Sequence, residues 1–311
     1  MNRKIKILTF LAAMVFCMSM QPVIDELRAE TNKQQDSQTI SSGSHDESIP
    51  EWLKRTNFAV AVESDQKPNY FLETIQPLLG TQDNDVVFFN QNRISSKNAR
   101  PTYNMGFGLR KIVNERYLLG INSFYDYQEL HQHSRGGVGF DVLDDKGLEA
   151  RMNMYIRISG KRLIKEDAIY GYYEEVANGF DYEFGMPIPF MPNLKVYGGG
   201  NWYDFDHFKN KYGWNGRLEF TPAKYSRINF EVFDDTKRAK MGCKLEGAIS
   251  LAFTSFAIRD IVRDIKGSTA ALPKIDLKEH VLDRVVRDFD ITVIKTKKNK
   301  TTGLTVEGGR T

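Results

Sequence analysis

The chain has 311 residues, a net charge of +3, 20 Phe and 14 Tyr. That length suits one large domain or two ordinary ones, and so balanced a charge gives no reason to expect a nucleic-acid partner. Mean hydropathy is −0.45 and no apolar run of about 18 residues follows the N-terminus, which excludes an α-helical membrane protein.

Arg3, Lys4 and Lys6 precede an apolar stretch from Ile7 to Met20 that is too short for a comfortable membrane span. This is the pattern of a secretory signal, assigned here to residues 1–29 with a cut near Ala29. Cys17 follows Phe16, where a lipoprotein site needs a small residue, so lipidation is not expected. If Cys17 leaves with the signal, Cys243 is alone and no intramolecular disulfide is expected. Residues 30–56 read as a disordered periplasmic leader, polar and rich in Ser and Gln, with a short amphipathic stretch at Glu51 to Arg55.

From Phe58 onward the chain keeps returning to long runs in which every second residue is apolar. In Leu148 to Ser159 one parity reads Leu, Ala, Met, Met, Ile, Ile and the other Glu, Arg, Asn, Tyr, Arg, Ser. A strand turns successive side chains to opposite faces, so such a segment has one apolar and one polar face. Twelve strands are predicted: 57–64, 69–79, 84–95, 101–113, 115–128, 134–143, 147–160, 176–187, 193–205, 211–221, 226–235 and 238–255. The face of Val86 to Phe89 stays ambiguous. Recurrent alternation behind an export signal favours an all-β, 12-stranded antiparallel transmembrane barrel over residues 57–256. Connections after even-numbered strands are the tighter set, for example Asn114-Glu115 and Asp144 to Gly147, which assigns them to the periplasm; residues 161–175 form the longest outer loop.

Beyond the barrel, Leu277, Val281, Leu282, Val285 and Val286 have helical spacing, and Asp276 with Glu279 would cap a helix over Asp276 to Arg287 at the periplasmic mouth. Phe289 to Lys297 reads as extended, so residues 257–298 are expected to be a helix and a linker threading the pore. Residues 299–311 read as a flexible tail.

Five segments resemble a known family. Tyr117 to Tyr127 looks like the "LGYN-x-F-x-D" strand of intimin and invasin barrels, and His133 to Phe140 like their "N/H-x-R-x-G-x-G" strand. Met154 to Gly160 is similar to "NGYFRxSGW", Glu174 to Asp181 to "DERPANGFD" with Val176 at the proline position, and Leu282 to Lys298 to the linker after the barrel. They fall in family order and spacing across about residues 57–298. The resemblance implies a twelve-stranded inverse autotransporter barrel whose linker runs back through the pore. Relatives carry adhesive repeats after the linker and many a peptidoglycan-binding domain before the barrel. Here about a dozen residues follow Lys298 and residues 31–50 are too short for such a domain, so an anchor without passenger is expected and adhesion does not transfer.

Parity assigns roles to side chains. Glu149, Arg151, Arg157, Asp181, Glu183, Arg217, Glu219, Glu231, Lys240, Lys244 and Glu246 should line the lumen, where opposite charges on neighbouring strands pair. Met105, Phe107, Leu109, Met152, Met154, Ile156, Phe180, Phe184, Leu245, Ile249 and Leu251 should face lipid. Phe289, Asp290, Ile291, Val293 and Lys295 are the candidate pore linker. Tyr197, Trp202, Tyr203, Phe205 and Trp214 read as interface aromatics. His131 and His133 could present two metal ligands on one strand face, but solvated loop histidines are the reading adopted, and no metal or cofactor is expected. The glycines at 106, 108, 198, 199 and 200 open no helix and serve strand bends or close packing. Paired carboxylates would suit a hydrolase, yet no nucleophile–base–orienter set is legible and no enzyme is expected. The expected partners are outer-membrane lipid and the barrel assembly machinery. A passive structural pore, or the anchor of a separately encoded surface partner, are the alternatives.

Overall fold

The computed structural model describes residues 50–80, 85–206, 208–223, 225–252 and 271–307. The signal peptide, most of the leader, the end of the predicted twelfth strand, the first part of the predicted helix-and-linker region and the last four residues lie outside the described residues. A single helical turn, α1 (Glu51–Lys54), leads into β1 (Thr56–Glu63). Next come β2 (Asn69–Leu79), β3 (Val86–Lys97), β4 (Arg100–Val113), β5 (Tyr117–Gln128), β6 (His133–Asp144) and β7 (Glu149–Arg157). A hairpin, β8 (Arg162–Glu166) and β9 (Tyr170–Val176), precedes β10 (Gly179–Ile188) and β11 (Met191–Tyr203). The ring is completed by β12 (Lys211–Ala223), β13 (Ser226–Asp235) and β14 (Gly242–Ser250).

Twelve of these strands close an antiparallel barrel, β8 and β9 standing apart from it. Closure is by β1 on β14, with Asn57 opposite Ser250 and Glu63 opposite Lys244. A closed ring leaves no strand edge unpaired, which is what a sheet in hydrocarbon requires. Tight turns join β4 to β5, β6 to β7 and β10 to β11 at the end where the chain also enters the barrel. Longer connections sit mostly at the opposite, loop end, although β3 and β4 are joined there by Asn98 and Ala99 alone. Both adopt positive φ, 53° and 58°, the left-handed geometry of a hairpin turn that matches strand twist.

Alternation is kept round the barrel. On β7, Met152, Met154 and Ile156 are exposed on the outer face while Asn153 and Tyr155 are buried within. The ambiguous start of β3 resolves the same way: Val87 and Phe89 point inward, and Phe88 lies outside, stacked on Phe107. Among the described residues no helix is long and apolar enough to cross a membrane.

Two elements differ from expectation. The loop after β7 holds the β8–β9 hairpin, which forms a second sheet in the order β16-β15-β9-β8, with β15 (Val293–Asn299) and β16 (Thr305–Glu307) supplied by the C-terminal segment. The predicted helix over Asp276 to Arg287 is reduced to one 3-10 turn, Leu277–His280, capped by the Asp276 carboxylate accepting from the Lys278 N–H at 2.9 Å. Leu277, Val281, Leu282 and Val285 are nonetheless all buried in one cluster with Ile75, Val87, Phe89, Ile112, Leu118 and Leu143. Their spacing reflects a concave apolar wall, not a helix face.

Candidate functional site in the barrel interior

The C-terminal segment enters at the turn end, where the Phe190 N–H donates to the Ala271 carbonyl and the Ile275 N–H to the Asp145 carbonyl, both at 2.9 Å. It leaves at the loop end as β15, paired to β9 from Val293 opposite Val176 to Asn299 opposite Tyr170. Between these points residues 281–292 have no regular structure. Irregular backbone at that depth is tolerated only where protein or lumen water satisfies its polar groups.

Side chains of the β3–β7 wall supply those partners. Gln91 meets Val285 as a neighbouring strand would: its Oε1 accepts from the Val285 N–H at 2.7 Å and its Nε2 donates to the carbonyl at 3.2 Å. Arg110 donates to the carbonyls of Val281 and Asp283, Asn153 to Val286 at 3.2 Å and Asn104 to Phe289 at 3.0 Å. Arg135 donates to the Asp288 carbonyl, and the Asp288 N–H donates to the Tyr155 hydroxyl at 2.8 Å. Asp126, wholly buried, holds Arg135 at 2.7 Å and the linker's Arg287 at 2.9 Å. Interior glycines give the linker and the rings room. A Cβ on Gly137 would lie 2.6 Å from the Arg287 guanidinium, and Phe89 and Phe124 lie over Gly108 and Gly106.

The opposite wall carries ion pairs among its own strands and others that reach across to β7. Glu183 receives Arg151 and Arg217, the latter at 2.9 Å, and Glu149 receives Lys195 at 2.6 Å. Arg217 also reaches Glu219 at 2.8 Å, and Lys244 reaches Glu246 at 3.4 Å. Asp181 accepts from Asn153 at 2.7 Å and from Tyr155. Glu231 lies beside a cavity of about 960 Å³ that opens in the loop half; a smaller one of about 420 Å³ lies in the turn half, and Arg151, Arg284 and Val286 border both. Arg284 spans the interior, 3.9 Å from Glu73 and 3.7 Å from Glu246.

Some assigned positions move. Lys240 is exposed in the turn before β14 and is not in the lumen, because that strand starts at Gly242. Arg157 sits at the loop-end rim, paired with Glu175 and with Asp206 at 3.2 Å. Tyr197, Tyr203 and Phe205 are buried inside and not at the interface, since β11 turns its odd-numbered residues inward; Trp202 and Trp214 lie on the outer face. Leu109, Phe184, Leu245, Ile249 and Leu251 are exposed outside, and Met105, Phe107 and Phe180 are half-buried there by neighbouring side chains. Phe289, Asp290 and Ile291 lie in the interior, Phe289 edge-on to Phe124 and Asp290 3.2 Å from Lys97. Val293 and Lys295 have already joined the outer sheet and are not within the pore.

One cluster was half legible: the sequence offers His131 and His133 as a pair but gives no signal for their partner Glu174. His133 is fully buried, not solvated, and with His131 it meets Glu174 of β9, whose partners lie 41 and 43 residues away. His131 Nδ1 lies 2.7 Å and His133 Nε2 3.1 Å from Glu174 Oε2, while Arg100 Nη2 donates to Oε1 at 3.1 Å. Burial works against the Glu174 carboxylate, but hydrogen bonds from His133, His131 and Arg100 outweigh it and hold its pKa well below the usual carboxylate range.

Comparison with known proteins adds four findings. The profile of the family described as "Inverse autotransporter, beta-domain" matches residues 14–256. A putative attaching and effacing protein homolog of Escherichia coli (strain K12) is 31% identical over 159 residues, 50% of this chain and 52% of that protein. The invasin of Yersinia enterocolitica is 30% identical over 148 residues, 47% of this chain and 17% of its own length. The chain therefore spans about half or less of these relatives. A solved membrane-protein structure, from work titled "Unveiling the Mechanism Behind the in-meso Crystallization of Membrane Proteins", superposes with a TM-score of 0.62 at 19% identity, covering 78% of this chain and 99% of that one.

Proposed function

The chain belongs to the inverse autotransporter β-domain family and is an outer-membrane barrel of that type, and we propose that the barrel anchors and exports its own C-terminal segment to the cell surface. The observation that carries this reading is the linker's path. Residues 281–292 run the length of the interior with their backbone received by Gln91, Asn104, Arg110, Arg135, Asn153 and Tyr155. A tail that remained in the periplasm would have no use for such a set of partners, each of which would otherwise have to be satisfied by water. The outer apolar band, Met152 to Ile156 among others, meets lipid, and the barrel assembly machinery inserts it. Folding, with no nucleotide or cofactor, supplies the driving force. An epitope tag after Thr311 tests the reading. Labelling on intact cells supports export; labelling only after the outer membrane is permeabilised refutes it.

The cavity of about 960 Å³ beside the linker favours a second reading, a passive pore. Measurable conductance of the intact chain in planar bilayers would support it.

A further inference from the structure

We propose that His131, His133 and Glu174 form a binding site for a divalent transition-metal ion, best matched by Zn2+, that clamps the outer sheet to the barrel rim. The three ligand atoms come from two elements: the histidines from the turn into β6 and its first residue, the carboxylate from β9. All lie within 4.8 Å of one another. Zinc takes imidazole nitrogen and carboxylate oxygen at roughly 2.0–2.2 Å in tetrahedral array, which sets neighbouring ligand atoms roughly 3.3 Å apart. The His133 to Glu174 separation of 3.1 Å is close to that value, and the His131 contact of 2.7 Å needs only a small outward turn of a ring that is partly exposed.

The donor set selects the ion. Two imidazoles and one carboxylate suit Zn2+ and disfavour Ca2+ and Mg2+, which prefer oxygen alone. Three protein ligands leave a fourth position, reached from the solvent side past His131. Arg100 donates to both oxygens, at 3.1 Å to Oε1 and at a longer 3.4 Å to Oε2; the bidentate pair fixes the carboxylate plane, and its weaker arm is the one a metal on Oε2 would relax. The His133 ring is committed to nothing else, for its Nδ1 is buried without a hydrogen-bond partner.

Position gives the clamp its effect. Glu174 pairs across from Lys295 on β15, so an ion joining β9 to β6 also fixes the strand by which the C-terminal segment leaves the barrel. Metal binding does not depend on export of that segment, so the two ideas fail separately.

Tag-free full-length protein folded in detergent is titrated calorimetrically with Zn2+, and with Co2+ to read coordination from its visible spectrum. One ion per chain is expected, with Tm raised by Zn2+. His131→Gln and Glu174→Gln, each checked for the heat-modifiable gel mobility of a folded barrel, should weaken binding by roughly tenfold or more. His131→Gln leaves the Arg100 pair intact, so its folding is not in question. Absence of saturable binding by the wild-type chain, or equal binding by wild type and both variants, would overturn the site and leave a hydrogen-bonded latch.

Discussion

The two inner walls of the barrel are built from the same alternating strands and do different work. The wall from β3 to β7 reads a backbone: amides, a tyrosine and arginines end on linker carbonyls and N–H groups, and glycines make room between them. The wall from β10 to β14 carries ion pairs that close on one another and stand beside open volume. A polar lumen is thus not one environment. Where a segment must be held without regular structure, short amides and fixed rings are used, because each backbone group has one donor or acceptor to be met. Where water can enter, charges suffice, because solvent covers any imperfect pairing.

Removing the linker should separate the walls most sharply. Deleting residues 271–307 empties the β3–β7 side and joins the two cavities that Arg284 and Val286 now divide. Single-channel conductance in planar bilayers should rise severalfold over the intact chain. An unchanged conductance would mean that the ion pairs of the opposite wall already block the pore. It would equally count against the seated linker as the plug.

Asp126→Ala comes next. Its carboxylate holds Arg135 and Arg287, all three essentially inaccessible, and accepts from Asn104 at 2.8 Å. Removing one member of a buried charge network leaves the others uncompensated and costs about 3–5 kcal/mol. Unfolding by urea in lipid vesicles should show that loss, together with protease access to the linker. Glu231→Ala, on the cavity side, should change neither by a comparable amount.

An arginine scan sharpens the comparison and shows where sequence reading stops. Met154 is 48% exposed on the outer face, and an arginine there, near mid-membrane, costs about 2–4 kcal/mol and should impair assembly. Strand parity alone makes Asn153→Arg harmless, since it points to a polar lumen. The structure reverses that expectation: Asn153 is 3% exposed, donating both to Asp181 and to the Val286 carbonyl. Asn153→Arg should therefore unseat the linker, whereas Asn215→Arg, beside the large cavity, should assemble normally. Cell-surface barrel yield and heat-modifiable mobility decide both.

Parity was legible because it is local: residues two apart share a face whatever the rest of the chain does. Hence β2 and β13 begin and end where the alternation does. Contacts made by folding were not legible. Nothing in the Tyr170 to Val176 pattern announces pairing with Val293 to Asn299, more than a hundred residues on, and nothing links His131 to Glu174. The linker's apolar spacing misled because a segment pressed on a curved wall can bury every third or fourth residue without coiling. The interior destinations of Tyr197 and Tyr203 follow from the parity of β11, which turns both inward, whereas aromatic content alone points to the membrane interface.

The finest test compares two amides. Gln91 on the linker wall is fully buried and lines neither cavity; it meets both the N–H and the carbonyl of Val285, and truncation to Ala leaves two buried backbone groups without partners at a cost of about 1–3 kcal/mol. Asn229 on the other wall accepts from Arg217 at 3.2 Å and donates to Glu246 at 3.1 Å, but it borders the open volume. Water entering there can replace both bonds, so Asn229→Ala should cost less, about 1 kcal/mol or under. The ordering is what matters, because neither residue faces lipid and the two substitutions remove side chains of similar chemistry. Hydrogen exchange at the Val285 amide gives an independent readout: it should quicken in Gln91→Ala and stay slow in Asn229→Ala. Equal stability loss and equal exchange would mean that the lumen is uniformly wet and that the linker is held by its charges alone.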